Sequence, residues 1–219
     1  MNVLKLVRIT DNINRKSTFI INSERFMNNN NRYAILVIDM LNDFINGKLR
    51  LEGVEKIVPN IQKLLDIARQ YNIPIIYCND SHLPEDRELR IWGKHAMKGT
   101  KGAQVIKELK PMSKDLVITK NTYSAFFNTK LKDLLQSLYQ GQGANSLIVT
   151  GIHTDICVKH TIFDAFVNGY DITVAEDGVK ALPLIDKRIL QYMKEKYAIE
   201  VKKIKDIIRQ TLQFKYINV

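Results

Sequence analysis

A chain of 219 residues with 45% hydrophobic and 26% charged side chains has ordinary globular composition and is long enough to bury a substantial core. No apolar run approaches the roughly 18 to 20 residues of a membrane span, and no apolar block with a small-residue cleavage site opens the chain. A membrane anchor and a secretory leader are therefore not expected, and the cytoplasm is the expected compartment. The formal charge of +10 invites a polyanion partner, but around residues 187–205 the bases alternate with Asp186, Glu195 and Glu200 and no nucleic-acid motif accompanies them, so specific nucleic-acid binding is not expected either.

Residues 1–32 read as an extension carrying six basic and two acidic side chains, with Phe19 to Ile21 its compact apolar patch and a four-asparagine run, Asn28 to Asn31, near its end. It packs on the domain, mediates association, or reflects an upstream start with Met27 the alternative; these readings stay open. The domain proper is residues 33–219. Residues 33–38 form a continuous apolar run ending at Asp39, the pattern of a strand buried on both faces. Val54, Ile57, Val58, Ile61, Leu64, Leu65 and Ala68 recur at helical spacing within residues 53–71, and a second strand follows at 73–78. Residues 79–100 lack periodicity, contain Pro84 and Gly93, and are long for a connection, which is typical of functional loops. A short helix is expected over 103–109, a third strand over 116–119 ending at Lys120, and a helix over 131–139. Next come a strand over 146–149, a turn carrying Cys157, and a helix marked by Val158, Ile162, Ala165 and Phe166. A strand over 172–175, a helix over 187–197, a strand over 199–204 and a short helix complete the chain. Strands alternating with helices imply an α/β fold, doubly wound, with a mainly parallel sheet between two helical layers.

Ligands of such sheets bind at the carboxyl ends of the strands. Four strand ends here carry Asp39, then Asp80 with His82 beyond it, then Lys120, then Cys157. Cys157 lies where a strand hands over to a helix, in the manner of a nucleophile elbow with sulfur in place of a hydroxyl. Thr154 or Asp155 would cap that helix and set the thiol in its first turn, where free backbone amides favour a thiolate and can hold an oxyanion. Asp39 would take the thiol proton and pass it to a leaving amine, while Lys120 would keep the carboxylate ionised and lower the thiol pKa. Cys78, on another strand, leaves no disulfide framework. The bland alternatives are a buried structural cysteine and a lysine salt bridge closing the sheet edge.

The segments Ile35-Leu36-Val37-Ile38-Asp39-Met40-Leu41-Asn42-Asp43-Phe44, Lys120-Asn121-Thr122-Tyr123-Ser124-Ala125-Phe126 and Gly151-Ile152-His153-Thr154-Asp155-Ile156-Cys157-Val158, in that order, resemble the isochorismatase-like cysteine hydrolases, and among them the nicotinamidases. The resemblance implies a triad of Asp39, Lys120 and Cys157 and a cis peptide between Ile152 and His153. It also implies an oxyanion hole from the backbone of His153 and Cys157, and a wall for a flat substrate from Phe44, Trp92 and Tyr123. Asn79-Asp80-Ser81-His82 and Trp92-Gly93-Lys94-His95 are similar to the nicotinamidase metal segments, giving Asp80, His82 and His95 as ligands of a divalent ion, zinc first, iron or manganese as alternatives. Only twelve residues separate the two histidines, a spacing shorter than in typical nicotinamidases.

The expected reaction is hydrolysis of a small carboxamide through a thioester, nicotinamide to nicotinate first. Hydrolysis of a ureido acid such as N-carbamoylsarcosine is the alternative, and isochorismate hydrolysis stands third. From other classes, a phospho-receiver domain has no use for Cys157, and a non-catalytic binding or scaffolding member would leave that thiol inert. His153, four residues before the nucleophile, is expected to contribute its backbone rather than a catalytic imidazole, and His160 to be a packed surface-facing or interface residue. The chain is expected to act as a homo-oligomer on a small-molecule amide.

Overall fold

The computed structural model describes residues 5–8, 18–21, 31–47 and 49–212, so Met27 and most of the asparagine run lie outside the described residues. The chain divides into two compact units, residues 1–31 and 32–219. In the first, β1 (Lys5–Arg8) pairs antiparallel with β2 (Thr18–Ile21).

The second unit is built on a six-stranded sheet. In chain order it comprises β3 (Tyr33–Ile38), α1 (Asn42–Ile45), α2 (Val58–Gln70), β4 (Ile75–Asp80), α3 (Leu89–Trp92), β5 (Leu116–Lys120), α4 (Leu131–Ser137), β6 (Ser146–Ile152), α5 (Lys159–Val167), β7 (Asp171–Lys180), α6 (Pro183–Tyr197), β8 (Glu200–Lys202) and α7 (Ile204–Ile207). The strands lie in the order β5-β4-β3-β6-β7-β8, and every neighbouring pair is parallel. Successive side chains of a strand point to opposite faces, and β3 shows the result. Ile35 and Val37 pack with Ile61, Leu64, Leu65 and Ala68 of α2 and with Ile204 and Ile207 of α7. Ala34, Leu36 and Ile38 pack on the other face with Leu131 and Leu135 of α4, Ile162 and Ala165 of α5, and Leu190 and Met193 of α6. The continuous apolar run of β3 is thus explained by two cores, one on each side, and the three-layer α/β/α arrangement expected from the sequence is the one observed.

The order of strands creates a switch point. From β3 the chain winds outward through β4 to β5, then returns to pair β6 against the other edge of β3. Loops leaving the carboxyl ends of β3 and β6 part in opposite directions and leave a crevice between them. Asp39 follows β3 and Cys157 follows β6.

Several boundaries differ from the sequence reading. Residues 103–109 form no helix; two short 3-10 turns, Lys101–Ala103 and Lys107–Leu109, flank an extended stretch in which Val105 bridges Leu41 and the Ile106 amide donates to the Met40 carbonyl. Pairing with the segment after β3 outweighs the local helical pattern. α6 starts four residues earlier than expected because Pro183 sits at its first turn, where the missing N–H costs nothing. The last strand is only three residues, since Ile204 already opens α7. Among the described residues no helix is long and apolar enough to cross a membrane.

Candidate active site

Three strand ends deliver three charged side chains to one buried point. Asp39 directly follows β3, its amide donating to the Cys78 carbonyl of β4, and adopts φ 52°, a left-handed conformation uncommon for a side chain other than glycine or asparagine and typical of functional positions. Its Oδ1 accepts the Asp80 amide at 2.8 Å and its Oδ2 lies 2.7 Å from Lys120 Nζ. Lys120, the last residue of β5, also contacts Asp80 Oδ1 at 2.5 Å. Asp80 ends β4 in the same way. Cys157 completes the group: one ligand atom each from Asp39, Asp80 and Cys157 lie within 4.8 Å of one another, and all three residues are buried.

The nucleophile turn is shaped by Gly151 and by the residues after it. Gly151 pairs with Ile38 in β3 at φ 109°, and a Cβ there would collide with the Ile38 carbonyl, so only glycine lets the two central strands approach. The Ile152–His153 peptide is cis, at the position the sequence motif implied. The cap, however, is not Thr154 or Asp155. His153 precedes the helix, no side chain caps it, and Thr154 Oγ1 instead donates to Asp186 Oδ1 of α6 at 2.6 Å. Thr154–Val158 then forms a wide π-type turn in which the His153 carbonyl accepts from Ile156 and Val158 and is not paired with Cys157. Cys157 is therefore the fourth helical residue, not part of a side-chain-capped first turn. Such π-turns concentrate at functional sites.

The electrostatics also depart from the sequence reading. Burial, followed by the negative charge of Asp80, pushes the Asp39 carboxyl up to about 7 against the pull of Lys120. Burial likewise holds the Cys157 thiol well above its ordinary value; Lys120 pulls it down, but Asp39 and Asp80 push it further up. Burial opposes the charge on Lys120 as well, yet the surrounding Asp39, Asp80 and Cys157 keep it firmly protonated. One ammonium facing two carboxylates cannot also create a resting thiolate. The resting group at this point is a protonated thiol beside the Asp39 carboxyl.

Adjacent to the triad lies a second group. Asp80, His82, Glu88 and His95 are buried and bring one ligand atom each to within 4.8 Å of the others. His82 Nε2 and Glu88 Oε1 are buried without a hydrogen-bond partner. His82 Nε2 lies 3.6 Å from Asp80 Oδ2 and 3.9 Å from Glu88 Oε2. The outward nitrogens are engaged: His82 Nδ1 meets Asp86 Oδ2 at 3.0 Å and His95 Nδ1 meets the Gly93 carbonyl at 2.8 Å. Two imidazoles held from behind at Nδ1, grouped with the carboxylates of Asp80 and Glu88, have the donor chemistry and the supporting contacts of a divalent-cation site. Asp80, His82 and His95 were legible in the sequence; Glu88 was not, being one of three acids among residues 85–88 with no pattern to separate it from Glu85 and Asp86.

Around this centre Phe44 is buried, in T-shaped contact with His95 at 5.5 Å and with His153 at 5.6 Å. Trp92, 40% exposed, donates from Nε1 to the Tyr123 hydroxyl at 3.1 Å. The Tyr123 ring rests on His160 at 5.2 Å, and His160 Nδ1 meets the Ile156 carbonyl at 2.8 Å. His160, half-buried, thus packs beside the nucleophile turn.

The chain is similar to several known proteins. A family model described as an isochorismatase domain matches residues 33–199. The N-carbamoylsarcosine amidase of Thermoplasma acidophilum superposes with a TM-score of 0.74 at 39% identity, covering 79% of this chain and 96% of that one. The pyrazinamidase of Pyrococcus horikoshii, solved in complex with zinc, superposes with a TM-score of 0.71 at 26% identity, covering 78% and 99%. An Arabidopsis thaliana protein named as a probable inactive nicotinamidase is 34% identical over 161 residues, 68% of this chain and 80% of that protein.

Proposed function

The chain belongs to the isochorismatase family of hydrolases, and from that premise we propose that it is a cysteine amidohydrolase that cleaves a small carboxamide, nicotinamide foremost, through a thioester on Cys157. The observation that carries this reading is the buried grouping of the Cys157 sulfur within 4.8 Å of an Asp39 carboxylate oxygen, with Asp39 held by Lys120 at 2.7 Å. As the sulfur attacks the carboxamide carbon, the thiol proton passes to Asp39, whose pKa near 7 suits it to take and return a proton at neutral pH. The oxygen of the tetrahedral intermediate is held by the backbone amides of His153 and Cys157; one such donor typically lowers a barrier by about 2.7 to 4 kcal/mol. Asp39 then gives its proton to the nitrogen, the C–N bond breaks, and ammonia leaves. Water enters, loses a proton to Asp39 and attacks the thioester; collapse releases the acid and returns the proton to sulfur. Lys120 remains charged throughout and keeps the Asp39 carboxylate oriented.

Asp80, His82, Glu88 and His95 are the residues that would hold a divalent ion, zinc first with iron or manganese as alternatives. When bound, such an ion supplies a Lewis acid that anchors or polarises the substrate. The zinc complex of the pyrazinamidase relative supports this assignment. A second substrate reading, a ureido acid, is favoured by the 39% identity to an N-carbamoylsarcosine amidase. We also read the chain as self-associating: Phe163, Phe166 and Tyr192, all exposed, cluster about Tyr197 on α5 and α6, and a second copy would cover them. Light scattering of the purified protein tests that reading, and a monomer at micromolar concentration refutes it.

Ammonia release from nicotinamide, pyrazinamide, N-carbamoylsarcosine and a linear alkyl amide, measured with and without chelator, tests the activity. Turnover of nicotinamide that chelation diminishes and Cys157→Ala abolishes, with the fold retained, is the expected result. Absence of hydrolysis across the panel refutes the amidase reading, and selective turnover of the ureido acid replaces nicotinamide as the substrate.

A further inference from the structure

Asp43 belongs to the same segment as Asp39 and Phe44, yet neither the triad nor the cation group uses its side chain. It lies half-buried in the first turn of α1, and its Oδ2 accepts the Ala96 amide at 2.8 Å. Ala96 directly follows His95. It is fully buried at φ 41°, a left-handed conformation that an alanine keeps only where its surroundings hold it there. The Ala96 carbonyl accepts the His82 amide at 2.9 Å, the His82 carbonyl accepts the Lys98 amide at 2.9 Å, and His82 bridges Met97 in parallel. The main chains that carry the two histidines of the cation group are thus tied to each other at Ala96, and Asp43 ties that same residue to α1.

The neighbouring chain makes room for this contact. A Cβ on Gly102 would collide with Asp43 Oδ2, so the 3-10 turn Lys101–Ala103 closes over the carboxylate only because glycine stands there. On one side of Asp43, Asn42 Nδ2 donates to the Lys101 carbonyl at 2.9 Å and to the Gln104 carbonyl at 3.0 Å. On the other, Phe44 meets the His95 ring. Three consecutive residues therefore brace the segment from His95 to Gln104, and Asp43 takes the backbone bonded directly to His95. Asp86 and the Gly93 carbonyl set how the rings of His82 and His95 are turned. Asp43 sets where the main chain beneath His95 stands.

We propose that Asp43 is a positioning residue of the cation centre: by holding the Ala96 amide, its carboxylate fixes His95 at the separation from His82 at which both imidazoles share one ion with Asp80 and Glu88. The inference rests on the reading of those four residues as a divalent-cation site, and it names a side chain outside the group on which the group's affinity depends. Residues that support metal ligands are commonly worth about 10- to 100-fold in affinity.

The test reads metal binding and needs no turnover. Zinc and cobalt affinities of the metal-free full chain are measured by competition with a chromophoric chelator, together with the visible spectrum of bound cobalt. Asp43→Ala is expected to weaken both ions by about 10- to 100-fold and to change the cobalt spectrum. Asp43→Asn, which keeps an acceptor oxygen for the Ala96 amide, should recover most of the affinity and the spectrum. Gly102→Ala should reproduce the loss with Asp43 intact, because the added methyl drives the carboxylate aside while the backbone there needs no left-handed angle. Unchanged affinity in Asp43→Ala overturns the proposal. So does a loss of equal size in Asp43→Asn, which assigns the effect to charge, or a weakened affinity with an unaltered cobalt spectrum, the mark of general destabilisation. If Asp43→Ala does not fold, Gly102→Ala set against Asp43→Asn decides the same point. A wild-type protein that takes up neither ion removes the cation-site reading and this proposal with it; a wild type and Asp43→Ala that bind equally well remove the proposal alone.

Discussion

Asp39 sits where burial and a second carboxylate oppose its charge and a single ammonium supports it. Because its folded pKa is raised, Asp39 holds a proton below about pH 7 and is free to accept one only above it. The acylation rate constant kcat/KM is accordingly expected to rise with pH through about 7, and Asp39→Asn to lose both that rise and about 10²- to 10⁴-fold of the rate. A flat profile in the wild type, or full rate in Asp39→Asn, would assign the proton to another group. Lys120 faces both Asp39 and Asp80. Replacing it with methionine strands two carboxylates in the interior, and denaturant unfolding should show a loss of about 3 to 5 kcal/mol, the usual cost of removing one partner from a buried ion pair. Glu88 belongs to the cation group by position alone. Glu88→Gln should lower the metal content of purified protein measured by elemental analysis, and Asp86→Ala, which releases His82 Nδ1, should weaken metal binding by about 10- to 100-fold.

At the level of elements, the strand ends were the readable part of the site. An apolar run that stops at Asp39 or before Cys157 announces itself in the sequence, because a strand buried on both faces permits few polar residues along its length; β5 is a half-exposed edge strand, and Lys120 was marked by its motif. What the ends would do to one another was not readable. The neighbours of Cys157 in sequence suggested a thiol eased into ionisation, whereas its surroundings in space, two carboxylates and a dry interior, favour the protonated form. Glu88 escaped for a related reason, since its role depends on how residues 83–95 fold back over β4 and not on any periodicity. Residues 103–109 misled because their helical pattern is overridden by pairing with Leu41. Gly151 is the element-scale test of the central pair. In Gly151→Ala the new methyl meets the Ile38 carbonyl, so β3 and β6 must separate. The loss of stability on chemical denaturation is expected to lie well above the about 1 kcal/mol of an average substitution.

For the molecule as a whole, both hydrophobic cores and every residue of the site belong to the second unit. We expect a chain beginning at Asn31 to unfold in one cooperative transition and to hydrolyse the same amide at an unchanged kcat; loss of either would assign residues 1–30 a part in folding or catalysis. Arg32 is kept in that chain because it anchors the start of β3, its Nε donating to the Gly143 carbonyl at 2.5 Å and its amide to Asn145 Oδ1 at 2.8 Å.

The return of β6 to the free edge of β3 has one more implication, for the order in which this protein comes to life. The carboxylate and the sulfur are supplied by distant parts of the polypeptide, and no single hairpin or helix pair contains both; they meet only when the last-made half docks on the first. Contacts so remote along the chain close late. A partly synthesised or partly refolded molecule would possess secondary structure and a hydrophobic nucleus yet no catalytic centre, so recovered turnover after dilution from denaturant should trail the recovery of helical signal and coincide with docking of the two central strands.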